Sequence, residues 1–422
     1  MADRDDRPDW RSAPHNRWAF WHVPDLLPTQ VVHAAETARP LLSAPPTVDV
    51  RAVAVERVDG ASAPVSSVLA DAYTDACVVL HDGAVVFEEY AGHGQAALTH
   101  SVMSVTKPLV GCVAGILIEQ AVLDPARLVT DHVPELAASG YAGASVRDVL
   151  DMRSGIHFRE EYDDPTSEVG ELDHWVAASQ RGDDGSRRGL YPYLLTLEAD
   201  SAHGGLFRYR SAETDVLGWV CERASGQPMA DLLGTWVWRP MGAEHDAQLI
   251  CDGAGTTIHD GGLCATARDV ARFGQLLLDG GTVPDGDGGL KVVVPARWLR
   301  QAWAVDADIR DAFARSPAEL MFPGGWFRNQ FWVRPGPYGD VLVCLGVYGQ
   351  MVHVNRRTRT VCVKLSSWPT AGHPAFLQDT LRAFDAVGGA LSNAGSREVR
   401  QRLPGVVAGV RAGRPLRLPE ST

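Results

Sequence analysis

Ser104-Val105-Thr106-Lys107 begins an apolar segment that continues with Leu109, Val110, Val113 and Ile116. The pattern predicts a buried helix, and residues three apart lie on the same face of a helix. The serine hydroxyl would therefore stand beside the lysine amine. A serine becomes a strong nucleophile when a base takes its proton. A lysine can be that base if burial lowers its pKa.

Lysine is rare elsewhere in the chain, which adds weight to Lys107. Only Lys107, Lys291 and Lys364 are lysines among 39 basic residues, and arginine fills the other positions. Arginine stays protonated near neutral pH and cannot act as a base. Ser-x-x-Lys also arises by chance in a chain of this length, so the motif needs further elements before it indicates catalysis.

Composition excludes several classes of function. The net charge of -13 over 422 residues argues against a nucleic-acid surface. The seven cysteines form no Cys-x-x-Cys pair, and neither a metal site nor a disulfide framework is indicated. No segment resembles a signal peptide or is apolar for long enough to span a membrane. We therefore expect a cytoplasmic protein that binds neither nucleic acid nor membrane. The sequence leaves open whether it forms a homodimer.

The order of the predicted elements indicates an α+β fold. Residues 76–90 are typical of a β-hairpin, and strands recur within residues 329–366. Helical periodicity dominates between them, apart from the polar segment 157–205, which is predicted to be an irregular binding loop. Further helices are expected at 290–305 and at about 375–390. Strands near both ends around a helical middle predict one antiparallel sheet flanked by helices, with a helical subdomain.

The chain is predicted to have an N-terminal arm, one domain and a C-terminal tail. The arm is rich in Pro, Arg and Ala, and the tail alternates Arg, Gly and Pro. The predicted bounds are 1–50 for the arm, 51–390 for the domain and 391–422 for the tail. Within the domain, the sheet comes from about 51–100 and 325–390, and a helical and loop region covers about 108–325.

Two further elements follow Ser104 in an order that fits a catalytic serine. Tyr209-Arg210-Ser211 supplies a tyrosine that a nearby ammonium would push towards phenolate, so that it can relay a proton. The glycine-flanked strand Leu345–Gly349 lets a substrate carbonyl approach the backbone closely. Two backbone N–H groups, one on Ser104 and one on this strand, would form an oxyanion hole.

Together these elements resemble the serine β-lactamase and penicillin-binding-protein superfamily, in its class C and esterase branch. The segments that carry the resemblance are Ser104–Lys107, Ser145–Ile156, Tyr209–Ser211 and Gly262–Asp269. Within that branch the chain is similar to nylon-oligomer amidases with carboxylesterase activity, over about residues 10–390. That closer match is carried by Pro14–Phe20, Asp164–Val169 and Lys364–Pro369.

The resemblance implies a catalytic role for each matching residue. Ser104 would be the acylated nucleophile, Lys107 its base partner and Tyr209 the proton relay. The backbone amides of Ser104 and Val347 would form the oxyanion hole. Which of Lys107 and Tyr209 is the formal base stays open, because the two would titrate as a coupled pair.

The resemblance also implies substrate contacts, and the chain departs from the pattern at several of them. Tyr162 would close over the substrate amide, and Asp173 would contact a substrate amine, which a carboxylate favours. Asp260 stands where the amidases have asparagine, and Tyr348 where they have histidine; both are expected to line the acyl pocket. The Lys/His-Thr-Gly strand of the superfamily is Cys344-Leu345-Gly346 here. This strand therefore has no basic side chain that could bind the carboxylate of a β-lactam or of a peptide terminus.

We therefore expect a serine hydrolase that cleaves a small amide or ester through an acyl-enzyme on Ser104, without metal or cofactor. Two alternatives remain open at this point. An acyltransferase would use the same chemistry but pass the acyl group to an amine or alcohol, which requires that water be excluded. A non-catalytic ligand-binding protein on the same fold would leave Ser104 unlabelled by acylating reagents.

Overall fold

The computed structural model describes residues 10–182 and 188–402. Residues 1–9 of the predicted arm and 403–422 of the predicted tail lie outside the described residues. Within the described ranges, no helix is long and apolar enough to cross a membrane.

Sixteen strands are described. They are β1 Thr29–Val32, β2 Leu42–Ser43, β3 Ala54–Glu56, β4 Ser62–Pro64, β5 Thr74–His81, β6 Ala84–Tyr90, β7 His100–Ser101, β8 Ala247–Ile250, β9 Leu263–Ala265, β10 Thr282–Pro284, β11 Leu290–Val292, β12 Trp326–Arg328, β13 Phe331–Arg334, β14 Val341–Gly346, β15 Gln350–Asn355 and β16 Thr360–Ser366.

Sixteen α-helices are described, most of them between β7 and β12. They are α1 Asn16–Ala19, α2 Val23–Leu26, α3 Val65–Asp71, α4 Thr106–Glu119, α5 Val129–His132, α6 Val146–Leu150, α7 Glu168–Arg181, α8 Leu190–Leu194, α9 Ser211–Ser225, α10 Met229–Leu233, α11 Arg239–Met241, α12 Ala267–Leu278, α13 Ala296–Trp303, α14 Ala307–Ala314, α15 Ala318–Met321 and α16 Pro374–Arg402.

Eight strands form the main sheet, in the order β12-β13-β14-β15-β16-β5-β6-β2. Neighbouring strands are antiparallel, except that β2 and β6 are parallel. Strand β16 pairs with β5, which places Val361 opposite Leu80 although these residues are far apart in the chain. The predicted α+β fold, with an antiparallel sheet made from both ends of the chain, is confirmed.

Side chains of the central strands alternate between two cores, because successive residues of a strand point to opposite faces of the sheet. On β5, Val78 and Leu80 lie in the core shared with α4 and α12. Cys77 and Val79 lie in the core shared with α3 and α16. Helices therefore cover both faces of the sheet, which explains why its strands are apolar at nearly every position.

A smaller antiparallel sheet has the order β1-β8-β9-β7. It joins the predicted N-terminal arm to the rest of the chain, because β1 pairs with β8 while β2 pairs with β6 of the main sheet. Phe20 and Trp21 of the same segment are buried. The division of the chain at residues 50 and 390 stays a prediction.

The prediction that 157–205 is irregular was wrong for much of this segment, which contains the helices α7 and α8. Ser167 begins α7, and its side chain accepts a hydrogen bond from the backbone N–H of Gly170. Val169 and Leu172, three residues apart, are buried on one face of the helix. The many acidic and other polar residues on the remaining faces conceal this apolar periodicity in the sequence.

Two other predicted helices differ in extent. The helix expected at 290–305 is α13, preceded by strand β11, and Pro295 stands directly before it, where a proline disturbs no helix hydrogen bond. The last helix does not end near its glycines but continues to Arg402. The glycines allow close packing instead, since a Cβ at Gly389 would clash with the Tyr338 hydroxyl oxygen.

Candidate active site

Ser104 lies in a tight turn, Met103–Val105, that leads directly into α4. The Thr106 side chain fixes this turn: its hydroxyl donates to the Met103 carbonyl at 2.7 Å and accepts from the Leu263 N–H at 3.1 Å. The turn is thereby tied to β9 of the smaller sheet. Ser104 keeps 6% of its surface exposed, at the floor of a cavity that it helps to line.

Lys107 stands on the same side of α4 as Ser104, as the spacing of the motif predicts. Its Nζ donates to the Ser104 hydroxyl at 2.8 Å and to the Ser211 hydroxyl at 3.0 Å. It also donates to the backbone carbonyl of Asp260 at 2.8 Å and lies 3.3 Å from the Asp260 carboxylate. Four oxygen atoms thus surround a side chain that is only 1% exposed.

The condition under which Lys107 could act as a base, a pKa lowered by its surroundings, is not met in the resting structure. Burial alone does lower this pKa, but the negative charges around the amine outweigh it and raise the pKa above its ordinary value. The groups responsible are Tyr209, which contributes only when its phenol is ionised, and the carboxyl groups of Asp260, Glu160 and Asp215. Lys107 is therefore an ammonium at neutral pH in the resting structure, and it serves there as a hydrogen-bond donor rather than as a ready base.

Tyr209 stands beside Lys107, with the amine 5.2 Å from the centre of the tyrosine ring. The ring is held by stacking on Trp332, at 5.2 Å between ring centres. Burial raises the pKa of Tyr209, and the nearby Lys107 and Ser104 only partly oppose this, so the pKa stays above its ordinary value. The expected shift towards phenolate is thus not present in the resting structure.

Two carboxylates missed by the sequence analysis complete the surroundings of Lys107. Glu160 accepts a hydrogen bond from the backbone N–H of Ser211, at the N-terminal end of α9, where a negative charge is stabilised. Asp215 is fully buried and accepts from the backbone N–H groups of His259 and Asp260, each at 3.0 Å, so it holds the loop that carries Asp260. Burial raises the pKa of both carboxyl groups.

The end of strand β14 approaches the turn that carries Ser104. A Cβ at Gly346 would stand 2.7 Å from the Val102 carbonyl oxygen and 3.0 Å from the Met103 Cβ, so only glycine permits this approach. Val347 follows and lines the same cavity as Ser104. Met103 directly precedes Ser104, and Tyr348 directly follows Val347. Both have left-handed backbone conformations, with φ of 49° and 61°.

Three of the four predicted substrate-contacting residues line the cavity: Tyr162, Asp173 and Asp260. The Tyr162 hydroxyl lies 3.5 Å from the Ser211 hydroxyl, so it is close to the ligands of Lys107. The other walls are mainly apolar and include Leu27, Val169, Leu172, Val176, Ile250 and Ile258.

Asp173 is engaged by a residue of the N-terminal segment. An ion pair of 2.8 Å joins its carboxylate to the guanidinium of Arg11, and the two side chains are 35% and 27% exposed. Trp10 packs edge-on against Phe20, with 5.7 Å between ring centres, which anchors the segment that carries Arg11. Because residues 10 and 11 precede every motif of the family resemblance, no sequence pattern indicated this contact.

Tyr348 does not take the predicted place in the cavity lining. Its ring packs edge-on against the buried Phe20, with 5.4 Å between ring centres. Cys344 is fully buried in the sheet, and no residue of β14 is basic, so this strand presents no cation to the cavity. Among the residues that the structure describes, no three His, Cys, Asp or Glu side chains are grouped as they would be around a metal ion.

Comparison with known proteins decides the family. The sequence profile of the beta-lactamase family matches residues 68–387. The chain belongs to the beta-lactamase family. One relative is 6-aminohexanoate-dimer hydrolase of Paenarthrobacter ureafaciens, which is 38% identical to this chain over 385 residues. The match covers 90% of this chain and 94% of that protein.

Solved structures agree on the beta-lactamase fold. A Bacillus anthracis protein assigned as a 6-aminohexanoate-dimer hydrolase superposes with a TM-score of 0.78 at 24% identity, covering 94% of this chain and 97% of the other. EstCE1, described as a hydrolase with promiscuous acyltransferase activity, superposes with a TM-score of 0.58 at 18% identity, covering 77% and 97%. The chain is a serine hydrolase of the beta-lactamase fold, related to 6-aminohexanoate-dimer hydrolase and to esterases.

Proposed function

We propose that this hydrolase cleaves a small linear amide or ester through an acyl-enzyme on Ser104. The observation that carries the proposal is the 2.8 Å contact between Lys107 Nζ and Ser104 Oγ at the floor of a cavity. A nucleophile, a proton-transfer partner and two nearby backbone amides in one cavity are the parts that acyl transfer requires.

The reactive form of the site is one proton poorer than the resting form. Lys107 and Tyr209 both have raised pKa values, so at neutral pH the pair retains both protons in most molecules. Loss of one proton leaves a base shared between amine and phenol, and the two groups titrate together. This base takes the Ser104 proton while Oγ bonds to the substrate carbonyl carbon. The rate should therefore rise with pH on the alkaline side of neutrality.

The backbone amides of Ser104 and Val347 are proposed to bind the oxyanion that forms on the substrate carbonyl. The proton taken from Ser104 then passes, through Tyr209, to the departing nitrogen or oxygen as the bond to the acyl carbon breaks. A water molecule next attacks the ester of Ser104, gives one proton to the same pair, and releases the acid as Ser104 regains its hydrogen.

The walls of the cavity support a linear rather than a β-lactam substrate. Strand β14, which ends in Cys344-Leu345-Gly346, contains no basic residue that would bind a β-lactam carboxylate. Tyr162 lines the cavity, with its hydroxyl 3.5 Å from that of Ser211, and we assign it the role of covering a bound amide. The relationship to 6-aminohexanoate-dimer hydrolase supports amides and esters as the substrate class. The substrate is a small molecule; a cytoplasmic location and a homodimeric state stay predictions.

Acylation of Ser104 is the direct test. The protein and its Ser104→Ala variant are mixed with p-nitrophenyl acetate, and p-nitrophenol release is followed together with the intact mass. We expect a burst of product and an acetyl adduct on Ser104 in the parent, and neither in the variant. Equal behaviour of the two proteins, with no adduct, would refute the proposal and leave a non-catalytic binding protein.

The same experiment separates hydrolysis from acyl transfer. Adding a primary amine or an alcohol gives the acyl group a second acceptor besides water. We expect the free acid to remain the main product. A product mixture dominated by the new amide or ester, at modest acceptor concentration, would identify an acyltransferase instead.

A further inference from the structure

Both carboxylates that line the cavity already have a basic partner. Asp260 lies 3.3 Å from Lys107 Nζ, and Asp173 lies 2.8 Å from a guanidinium nitrogen of Arg11. Among the described residues that line the cavity, Arg11 is the only one with a basic side chain. The cavity therefore presents little uncompensated negative charge to a substrate, although two carboxylates border it.

The position of Asp173 makes its partner important for substrate choice. It lies on the face of α7 that forms one wall, between the apolar side chains of Val169, Leu172 and Val176. Ser104 and these residues line one cavity, so a substrate chain long enough to extend from Ser104 to Asp173 would pass apolar groups of this wall. A terminal ammonium could bind there only by displacing the Arg11 guanidinium from the carboxylate.

We propose that Arg11 is a specificity-determining residue, which neutralises Asp173 so that the site prefers neutral, apolar acyl groups over those that end in an ammonium. This inference rests on the proposed function and names its substrate class. Arg11 acts through Asp173 and takes no part in the chemistry. The predicted contact between Asp173 and a substrate amine then arises only when Arg11 is removed.

The structure explains how Arg11 is held at this rim. Its guanidinium carbon lies 5.8 Å from the centre of the Trp10 ring, and Trp10 is anchored on the buried Phe20. The segment is therefore positioned by apolar packing, which does not depend on the ion pair. A neutral residue at position 11 should leave the wall in place and change mainly the charge next to Asp173.

Two p-nitrophenyl esters of matched length test the proposal. The heptanoate ends in a methyl group where the 6-aminohexanoate ends in an ammonium. The ratio of their kcat/KM values is measured for the parent, Arg11→Gln, Arg11→Lys and the double variant Arg11→Gln/Asp173→Asn, after subtraction of spontaneous hydrolysis. This ratio reports selectivity, which a merely structural role of Arg11 would not change.

We expect Arg11→Gln to shift the ratio towards the ammonium ester by about five-fold, the scale of a partly exposed ion pair. Arg11→Lys should keep the parent ratio, and the double variant should lose the shift because no carboxylate remains. Asp173→Asn alone, which leaves a cation at the rim, should move the ratio against the ammonium ester. This variant keeps the test decisive if Arg11→Gln does not fold.

The outcomes separate this inference from the proposed function. Unchanged ratios in Arg11→Gln and Asp173→Asn, in proteins that still acylate Ser104, would overturn the role of Arg11 and leave the hydrolase intact. A parent that prefers the ammonium ester would overturn it as well. Failure of every ester to acylate Ser104 would instead refute the proposed function itself.

Discussion

Two buried lysines, Lys107 and Lys364, each contact a serine hydroxyl, yet their surroundings differ. Lys107 contacts Ser104 and lies among carboxylates at the floor of a cavity. Lys364, on β16, contacts the Ser366 hydroxyl and donates to the backbone carbonyl of Ala72 at 3.0 Å. Ser366 is fully buried, so no substrate can reach it.

The two amines are shifted in opposite directions. Burial lowers the pKa of Lys364 to about 7, because only uncharged groups contact it and more distant charges compensate little. Burial also acts on Lys107, but the acidic neighbours raise its pKa above the ordinary value. Because both amines are buried, the charges next to each amine decide in which direction its pKa is shifted. A lowered pKa does not by itself mark the active site.

The largest expected difference between the two lysines is in catalysis. Lys107→Met should lower kcat/KM for p-nitrophenyl acetate on the order of a thousandfold, the scale of a lost proton-transfer partner. Lys364→Met should keep most of the parent activity, since its amine lies in the core. Steady-state rates, with circular dichroism to confirm folding, provide the measurement. A comparable loss in both variants would show that the distinction between the two sites is wrong.

The second difference concerns stability. The unfolded chain binds a proton at Lys364 up to a pH of about 10, whereas the folded chain releases it near pH 7. The contribution of Lys364 to the free energy of unfolding therefore decreases as the pH falls from 10 to 7, and it does not change further below pH 7. Between pH 7 and 9, the free energy of unfolding of the parent should rise relative to Lys364→Met by about 1 kcal/mol per pH unit.

Urea unfolding at several pH values measures this slope, and the exposed third lysine supplies the control. Lys291→Met should reproduce the pH dependence of the parent. If Lys364→Met also follows the parent curve, the pKa of Lys364 is not lowered and the contrast with Lys107 disappears.

A third prediction concerns the charge that holds Lys107 protonated. Asp260→Asn removes the carboxylate 3.3 Å from Nζ but keeps the backbone carbonyl contact. Loss of this negative charge should lower the pKa of Lys107, so the rising limb of the kcat/KM profile should move to lower pH by about one unit. Asp163→Asn, on an exposed carboxylate, should leave the profile in place. A shift to higher pH would contradict the assigned electrostatics.

The smallest expected effect comes from Glu160, which contributes less to the pKa of Lys107 than Asp260 does. Glu160→Gln keeps an oxygen acceptor for the Ser211 N–H but removes the charge, so the same limb should move to lower pH by less than in Asp260→Asn. Glu161→Gln, at the exposed neighbouring position, is the matched control. Identical profiles for the two glutamine variants would remove Glu160 from the site.

The sequence predicts the parts of this site that depend on local spacing or on a shared motif. Ser104 and Lys107 are three residues apart on one helix, so their contact follows from helix geometry. The direction in which the pKa of Lys107 is shifted does not follow from the sequence, because Asp260, Glu160 and Asp215 come from separate elements. Their charges meet only in the folded chain.

The same limit explains the errors in the fold. The sheet was predictable because its strands are apolar on both faces. Helix α7 was missed because polar residues dominate its composition. Its few apolar residues face the cavity, which forms only in the folded chain. Arg11 was missed because the ion pair with Asp173 joins positions 162 residues apart.

The left-handed conformations of Met103 and Tyr348 carry a consequence for attempts to make this enzyme more heat-resistant. Residues with side chains adopt this conformation at a cost of about 1 kcal/mol or more, which glycine avoids. Glycine at either position would relieve this strain, but it would also remove the buried Met103 side chain or the Tyr348 ring that packs on Phe20, a loss of about 2 kcal/mol or more. Both residues are neighbours of the two amides proposed to bind the oxyanion. A selection for thermal tolerance should therefore retain both side chains, and with them the strained backbone on either side of the proposed oxyanion site.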